Sequence, residues 1–233
     1  MAIPAAVVRT LPLLEGLPDE TIVHLATLIS ERSFARRAVV VQKNDPGQAL
    51  CFLIEGRLQA TDFTLDGREV GLFFIEPGQP FGELAIVDQG KQSEFVIAVA
   101  RARVAFLPAA AARALVLGHP AVAEKVLRRL AGRLRALTDQ RTLLALPNPL
   151  QRVCAQLVKL SEAQTPARAL IRHVPTHQEI AIMVNTSRET VTRAFQLLAT
   201  RGVVERAGPD LRLIEPAYLE GVMLGKIEPP RIS

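Results

Sequence analysis

The chain has 233 residues, with 28 Lys and Arg against 23 Asp and Glu, a formal charge of +5 and a pI near 9.8. That length allows two modest domains, each with its own core, and the mild basic excess admits a polyanionic partner without requiring one. No apolar run reaches transmembrane length, and the N-terminal MAIPAAVVRTLPLLEGLP scatters Pro where a signal peptide needs a basic segment and then an apolar one. The expectation is a cytoplasmic protein with no membrane partner, in which the two distant cysteines, Cys51 and Cys154, are buried reduced thiols. Lys and Arg number 11 against 13 Asp and Glu over residues 1–119, 6 against 2 over 120–149 and 11 against 8 over 150–233, so the positive charge gathers after residue 119.

In chain order, Pro18-Asp19-Glu20 opens a predicted helix whose Ile22, Leu25, Leu28 and Ile29 form one stripe, ending near Glu31. From Arg37 the period changes. Short β-rich runs at residues 38–41, 50–54, 58–61, 70–75, 95–99 and 103–107 alternate with turn signals such as Asn44-Asp45-Pro46-Gly47, Glu55-Gly56, Asp66-Gly67, Pro77-Gly78 and Gln89-Gly90. Strands of this length and spacing predict a compact antiparallel barrel or roll. His119-Pro120 then introduces a long helix to about Leu146, on which Leu127, Leu130, Leu134, Leu137, Arg141 and Leu144 keep a heptad spacing. Such a stripe either packs on the roll or pairs with a second copy, and a helix this long exceeds what a small roll can cover. Arg141, at a seam position, must snorkel out or find an acceptor. Pro147-Asn148-Pro149 breaks the helix and is the expected hinge, dividing the chain into a roll (1–119), a helix (120–147) and a third part (148–233).

In that third part, residues 151–162 read as an amphipathic helix and 169–174 as a short strand. Thr176-x-x-Glu179 is a capping box that starts a helix bearing Ile180, Ala181, Met183 and Val184, and Asn185, tolerant of positive φ, can stop it. Thr186-x-x-Glu189 repeats the pattern, after which Val191, Ala194, Phe195 and Leu198 make one buried stripe. The opposite face carries Arg188, Glu189, Thr192, Arg193 and Gln196, side-chain types that reach base edges and phosphates, although a charged outer face is also what any surface helix shows. Residues 203–214 read as a hairpin turning at Gly208-Pro209-Asp210, a last helix is expected from Pro216 to Leu224, and Pro229-Pro230 leaves a tail.

The run HQEIAIMVNTSRETVTRAFQLLATRGVVE resembles the helix-turn-helix of the catabolite-activator/fumarate-nitrate-regulator (Crp/Fnr) family of bacterial transcription factors. Its S-R-E-T-V-x-R core stands at Ser187 to Arg193, and the D-P-G turn, the I-E-G-R-L hairpin and the F-G-E-L-A segment, Phe81 to Ala85, are similar to the family's cyclic-nucleotide-binding roll. The resemblance implies an α+β chain: an N-terminal cyclic-nucleotide-binding-like antiparallel β-roll, a long dimerisation helix and a C-terminal winged helix-turn-helix. It implies a homodimer on a palindromic, TGTGA-like site of double-stranded DNA, in contact with RNA polymerase. Arg188, Glu189 and Arg193 would read the half-site, with His177, Gln178, Thr186, Ser187, Thr192 and Arg206 as further DNA-contacting candidates.

Family members that bind cyclic AMP clamp its phosphate with G-E-L and, about ten residues on, an Arg-Ser pair, while hydroxyls of the long helix meet the base. Gly82, Glu83 and Leu84, followed by Ala85, are present here, but the pair falls on Ser93-Glu94 and the hydroxyl positions on Leu137 and Thr138. A phosphate there would lose its bidentate partner and meet a carboxylate, so conventionally bound cyclic AMP is not expected. No cofactor follows from the residues alone. A small nucleotide effector such as cyclic di-GMP, drawing on Arg57, Arg68, Arg101, Arg103 or Arg133, or no effector at all, both stay open. Two distant cysteines cannot hold an iron–sulfur cluster, and His24, His119, His173 and His177 all lie outside the roll's strands, which argues against haem or cupin-like metal chemistry. Without a Ser-His-Asp elbow or a phosphate loop, the chain is not expected to be an enzyme. A roll that acts only through protein partners, and a cyclic AMP receptor with a rearranged pocket, are the alternatives.

Overall fold

The computed structural model describes residues 3–64, 67, 69–162 and 169–228. Asp66 of the Asp66-Gly67 turn, Arg68 and the Pro229-Pro230 tail lie outside them. The chain forms two compact units, Met1–Arg133 and Leu134–Ser233.

The first unit opens with α1 (Ala5–Arg9) and α2 (Asp19–Leu28). Eight strands follow, β1 (Ser30–Phe34), β2 (Val39–Val41), β3 (Ala49–Glu55), β4 (Leu58–Phe63), β5 (Glu69–Ile75), β6 (Pro80–Phe81), β7 (Phe95–Ala98) and β8 (Ala102–Pro108), with α3 (Glu83–Val87) between β6 and β7. They make two antiparallel sheets, in the orders β1-β8-β3-β6 and β2-β7-β4-β5. Alternating side chains of the two sheets, Cys51, Leu53, Leu58, Ile75, Phe81, Val96 and Val104 among them, bury one core. The other face of the first sheet, with Leu50, Phe52, Ala105 and Leu107, meets Val8, Leu11, Leu14, Leu25 and Ile29 from the N-terminal segment and Ala112 and Leu115 of α4 (Ala109–Gly118). Each such large apolar side chain contributes roughly 1.5–3 kcal/mol through burial.

The expected first helix is corrected at its end. It stops at Leu28, and Ser30–Phe34 is an edge strand paired to β8 from Ser30↔Phe106 to Phe34↔Ala102. Its polar S-E-R-S-F composition hid it, because its stability comes from the partner strand and from Arg103, whose Nε donates to Glu31 at 2.6 Å. Gly47 and Gly82 are among the glycines required by geometry. A Cβ on Gly47, in the Asp45-Pro46-Gly47 turn, would come 2.4 Å from the Ala85 Cβ, so the turn packs on α3 only without a side chain. Gly82 has φ +78° immediately before α3, a left-handed conformation that Gly adopts at little cost.

The long helix is α5, Pro120–Leu144. In the second unit the helix break at residues 145–148 is held by side chains. Asn148 Oδ1 accepts from the Leu150 amide at 2.8 Å to start α6 (Pro149–Glu162), and Arg152 donates to Leu146 O and to Val184 O, both at 3.0 Å. Then come β9 (Leu170–Ile171), α7 (His177–Met183), α8 (Arg188–Thr200), β10 (Val204–Ala207), β11 (Asp210–Leu213) and α9 (Pro216–Met223). The three strands make a small sheet ordered β10-β11-β9. One core joins all of these elements, with Leu150, Leu157, Ile180, Val191, Phe195, Leu198, Leu211 and Leu219 inside it. Cys51 and Cys154 are free and buried, and burial pushes both thiols up to about 12. Among the described residues, no helix is long and apolar enough to cross a membrane.

Candidate nucleic-acid interface and effector pocket

Two helices joined by a tight turn carry the first site. At the start of α7 the capping box is complete: the Glu179 amide donates to Thr176 Oγ1 at 3.3 Å, and the Thr176 amide donates to Glu179 Oε2 at 2.6 Å. Asn185 ends the helix with φ +47°, in the left-handed region that Asn tolerates. The second cap is corrected by one residue. Ser187, not Thr186, is the N-cap of α8; its Oγ accepts from the Thr190 amide at 3.1 Å and lies 3.0 Å from the Thr190 hydroxyl. Glu189 does not complete a box with Thr186. Its carboxyl is held below the usual carboxylate range by its own backbone amide and the Ser187 hydroxyl, with Arg188 and Arg193 adding smaller effects.

The buried stripe of α8 is as expected, Val191, Ala194, Phe195 and Leu198, which leaves Ser187, Arg188, Glu189, Arg193 and Gln196 exposed, with Glu189, Arg193 and Gln196 on the side opposite the stripe and Arg188 on its flank. Gln178 is exposed on the first turn of α7, and Thr186 is half-buried in the turn. Thr192 sits differently from the other candidates. It is half-buried, its Oγ1 donates to Arg188 O at 3.0 Å, and it lies 2.9 Å from His177 Nδ1, whose ring packs 4.7 Å from that of Phe195. Burial first, then the charges of Arg206 and Arg188, lower the pKa of His177 from its ordinary 6.5. Arg206 lies on the β10-β11 hairpin, exposed, with Nε donating to Gly208 O at 3.1 Å across the turn.

A second cluster lies in the first unit, where α3 faces α5. Glu83, the first residue of α3, is 2% exposed. Its Oε1 accepts from Arg129 Nε at 3.1 Å and from Arg133 Nη1 at 2.9 Å, while its Oε2 is buried without a hydrogen-bond partner. Arg133 also donates from Nη2 to Glu94 Oε1 at 3.2 Å, and its guanidinium lies over the Phe73 ring, 4.1 Å from the centroid. Arg129 Nη2 donates to Pro80 O at 2.7 Å. Ser93 is exposed and its hydroxyl donates to Glu94. Ala85 is buried and Leu84 is 38% exposed. The structure therefore brings Gly82, Glu83, Glu94 and Arg133 together. It adds Arg129 and Phe73, which sequence reasoning missed although the i, i+4 spacing of Arg129 and Arg133 marks one helix face. Leu137 and Thr138 belong to the second unit; Leu137 is 63% exposed, and the Thr138 hydroxyl donates to Leu134 O at 3.0 Å. Arg57 and Arg103 are held elsewhere, Arg57 by Glu76 at 2.7 Å and Arg103 by Glu31 and Glu55.

On the heptad stripe of α5, Leu127, Leu134 and Leu137 are 65%, 66% and 63% exposed, and Leu144 is 37% exposed. Leu130 is half-buried against the core of the first unit, and Arg141 is exposed.

The cyclic nucleotide-binding domain family matches residues 31–119, and the Crp-like helix-turn-helix domain family matches residues 151–222. A protein of Thermus thermophilus named "Cyclic AMP receptor protein" is 31% identical over 214 residues, which span 92% of this chain and 97% of that one. The chain belongs to the Crp/Fnr family of transcription regulators. As a member it is a DNA-binding transcription regulator with a cyclic-nucleotide-binding domain, not an enzyme. The "CRP-like cAMP-activated global transcriptional regulator" of Mycobacterium tuberculosis is 30% identical over 208 residues, 88% of this chain and 93% of its own. Among solved structures, the "c-di-GMP Responsive Global Regulator CLP" of Xanthomonas campestris aligns over 84% of this chain and 99% of its own with a TM-score of 0.60. At 21% identity that likeness speaks for the fold alone.

Proposed function

We propose that the chain works as a homodimeric, sequence-specific transcription regulator in the cytoplasm, binding a palindromic TGTGA-like site and meeting RNA polymerase there. The observation that carries this reading is the exposed set Arg188, Glu189 and Arg193 on α8, a helix anchored by the buried stripe Val191, Ala194, Phe195 and Leu198. Arg pairs bidentately with guanine and Glu accepts from a cytosine amine, so the set suits base edges in a major groove. His177 and Gln178 on α7, Thr186 and Ser187 at the start of α8 and Arg206 on the β10-β11 hairpin are side chains that suit phosphates, which supports the remaining DNA contacts. The dimer rests on the exposed leucines of α5: Leu127, Leu134, Leu137 and Leu144, with Leu130 and Arg141 completing the seam. In this reading the parts are an effector-binding-like roll (1–119), a dimerisation helix (120–147) and a DNA-binding domain (148–233). Two recognition helices of a dimer would enter successive major grooves ~34 Å apart.

The effector differs from conventionally bound cyclic AMP. Where the phosphate clamp would stand, Ser93 offers no charge, and the Glu94 carboxylate is already taken by Arg133. An anion entering there meets Glu94 and must draw Arg133 away from two carboxylates. This supports control either without an effector or by a ligand that uses Arg133 and the carboxylates differently; a guanine base, as in cyclic di-GMP, accepts from Arg and donates to a carboxylate. A second reading, a cyclic AMP receptor with a rearranged pocket, is favoured by the retained Gly82-Glu83-Leu84 and by the names of the relatives at 31% and 30% identity.

The test is a gel shift of purified protein on a duplex carrying two inverted TGTGA half-sites against a scrambled duplex, over a range of salt. A salt-dependent shift selective for the palindrome is expected. Equal binding to both duplexes removes the sequence-specific reading.

A further inference from the structure

The contact between His177 and Thr192 fixes where a proton sits. Thr192 Oγ1 lies 3.0 Å from Arg188 O and 2.9 Å from His177 Nδ1. A hydroxyl has one hydrogen, and a carbonyl oxygen can only accept. The hydrogen of Thr192 therefore goes to Arg188 O, and the short contact with His177 requires an N–H on Nδ1. If Thr192 donated to Nδ1 instead, two bare oxygens would face each other at 3.0 Å. The neutral ring thus carries its hydrogen on Nδ1 and keeps a lone pair on Nε2. Nε2 has no hydrogen-bond partner among the described residues, and the ring is held in place by Thr192 on one side and the Phe195 ring at 4.7 Å.

The charged groups that face this imidazole are Arg188 on α8 and Arg206 on the β10-β11 hairpin, both exposed and both repelling a second proton. A DNA phosphate reverses that balance, because it pairs with the arginines and favours a cation beside it. Resting on the reading of α8 as the recognition helix, we propose that His177 is a proton-linked phosphate contact, taking up a proton on Nε2 as DNA binds and donating it to a phosphate oxygen. The Nδ1–H to Thr192 keeps the ring oriented for that contact. It also occupies the Thr192 hydroxyl, so Thr192 positions His177 and does not read a base.

Proton uptake on binding makes DNA affinity rise as pH falls, by at most about tenfold per pH unit for one site. Folding has the opposite sign. The pKa of His177 in the free protein is depressed from 6.5, so its contribution to stability is full above that value and is lost as pH falls below it. A weakening caused by partial unfolding would therefore run against the proposed effect.

The experiment is fluorescence anisotropy of the full chain on a random-sequence duplex, from pH 5.5 to 8.5 at constant ionic strength, for wild type and His177→Asn. The Asn side chain keeps a donor near Nδ1 but cannot be protonated. Wild type should bind three- to tenfold more tightly at pH 5.5 than at 7.5, and His177→Asn should be flat across this range. At pH 5.5 the variant should also lose about one unit of the slope of log affinity against log salt, with no change at pH 8.5. A flat wild-type profile, or the same slope in His177→Asn, overturns the inference. Phosphate contacts do not depend on sequence, so failure of base readout leaves this test intact, whereas absence of any binding removes the DNA-binding reading itself.

Discussion

Arg133 on the long helix reaches Glu83 on α3 through Nη1 at 2.9 Å. The same guanidinium holds Glu94, at the proposed clamp position, at 3.2 Å, so the charges of this cluster are neutralised from within the protein. Glu83→Gln would leave Arg129 facing a buried amide instead of a carboxylate and Arg133 paired with Glu94 alone. Because Arg129 and Arg133 keep 24% and 23% exposure, the expected loss is roughly 2–3 kcal/mol, below that of a fully buried pair. Urea denaturation at pH 7, followed by far-UV circular dichroism, measures it; a loss below about 0.5 kcal/mol would mean that water supplies the screening instead.

The two caps of the helix-turn-helix separate by substitution. Ser187→Ala removes the acceptor for the Thr190 amide and should cost about 1 kcal/mol, whereas Thr186→Ala should cost little. Thermal unfolding of the two variants gives the order, and a larger loss at Thr186 would restore the alternative cap.

Base readout and phosphate contact are told apart at Arg193. Arg193→Ala should weaken binding to the palindrome by about 1–3 kcal/mol and relax preference at one base position. Binding of a set of single-base variants of the half-site shows which occurs. Uniform weakening across the set would make Arg193 a phosphate contact.

The seam makes a prediction about assembly. Leu134→Asp together with Leu137→Asp places charge on side chains that are 66% and 63% exposed in the single chain. The fold of each unit should survive, and sedimentation velocity should move from dimer to monomer. A dimer that persists would place the interface elsewhere.

How much of this was legible beforehand depended on how local each cause is. The Thr176-Glu179 box, the positive φ of Asn185 and the Val191-Ala194-Phe195-Leu198 stripe are set by neighbours within a few residues, and each stands as the spacing predicts. The cap at Ser187 was misassigned because two hydroxyls stand side by side, and only the backbone path decides which one meets the helix amides. Strand β1 was hidden because Ser30–Phe34 has no apolar alternation of its own and is stabilised by a distant strand, in register from Ser30↔Phe106 to Phe34↔Ala102, as the Glu31–Arg103 bond across 72 residues illustrates. The Arg129-Glu83-Arg133-Glu94 cluster was only half visible for the same reason. Its carboxylates were on view as motif positions, but the arginines that neutralise them come from a helix 39–50 residues further on. The His177–Thr192 bond, across a turn between two helices, was not visible in either residue's spacing.

The most direct test of the account is calorimetric titration of cyclic AMP into the full-length protein at neutral pH, with cyclic GMP and cyclic di-GMP titrated alongside. With Glu94 and Arg133 paired at the clamp position, cyclic AMP should give no saturable heat at micromolar concentration. Saturable binding of one cyclic AMP per chain at micromolar levels would contradict the account.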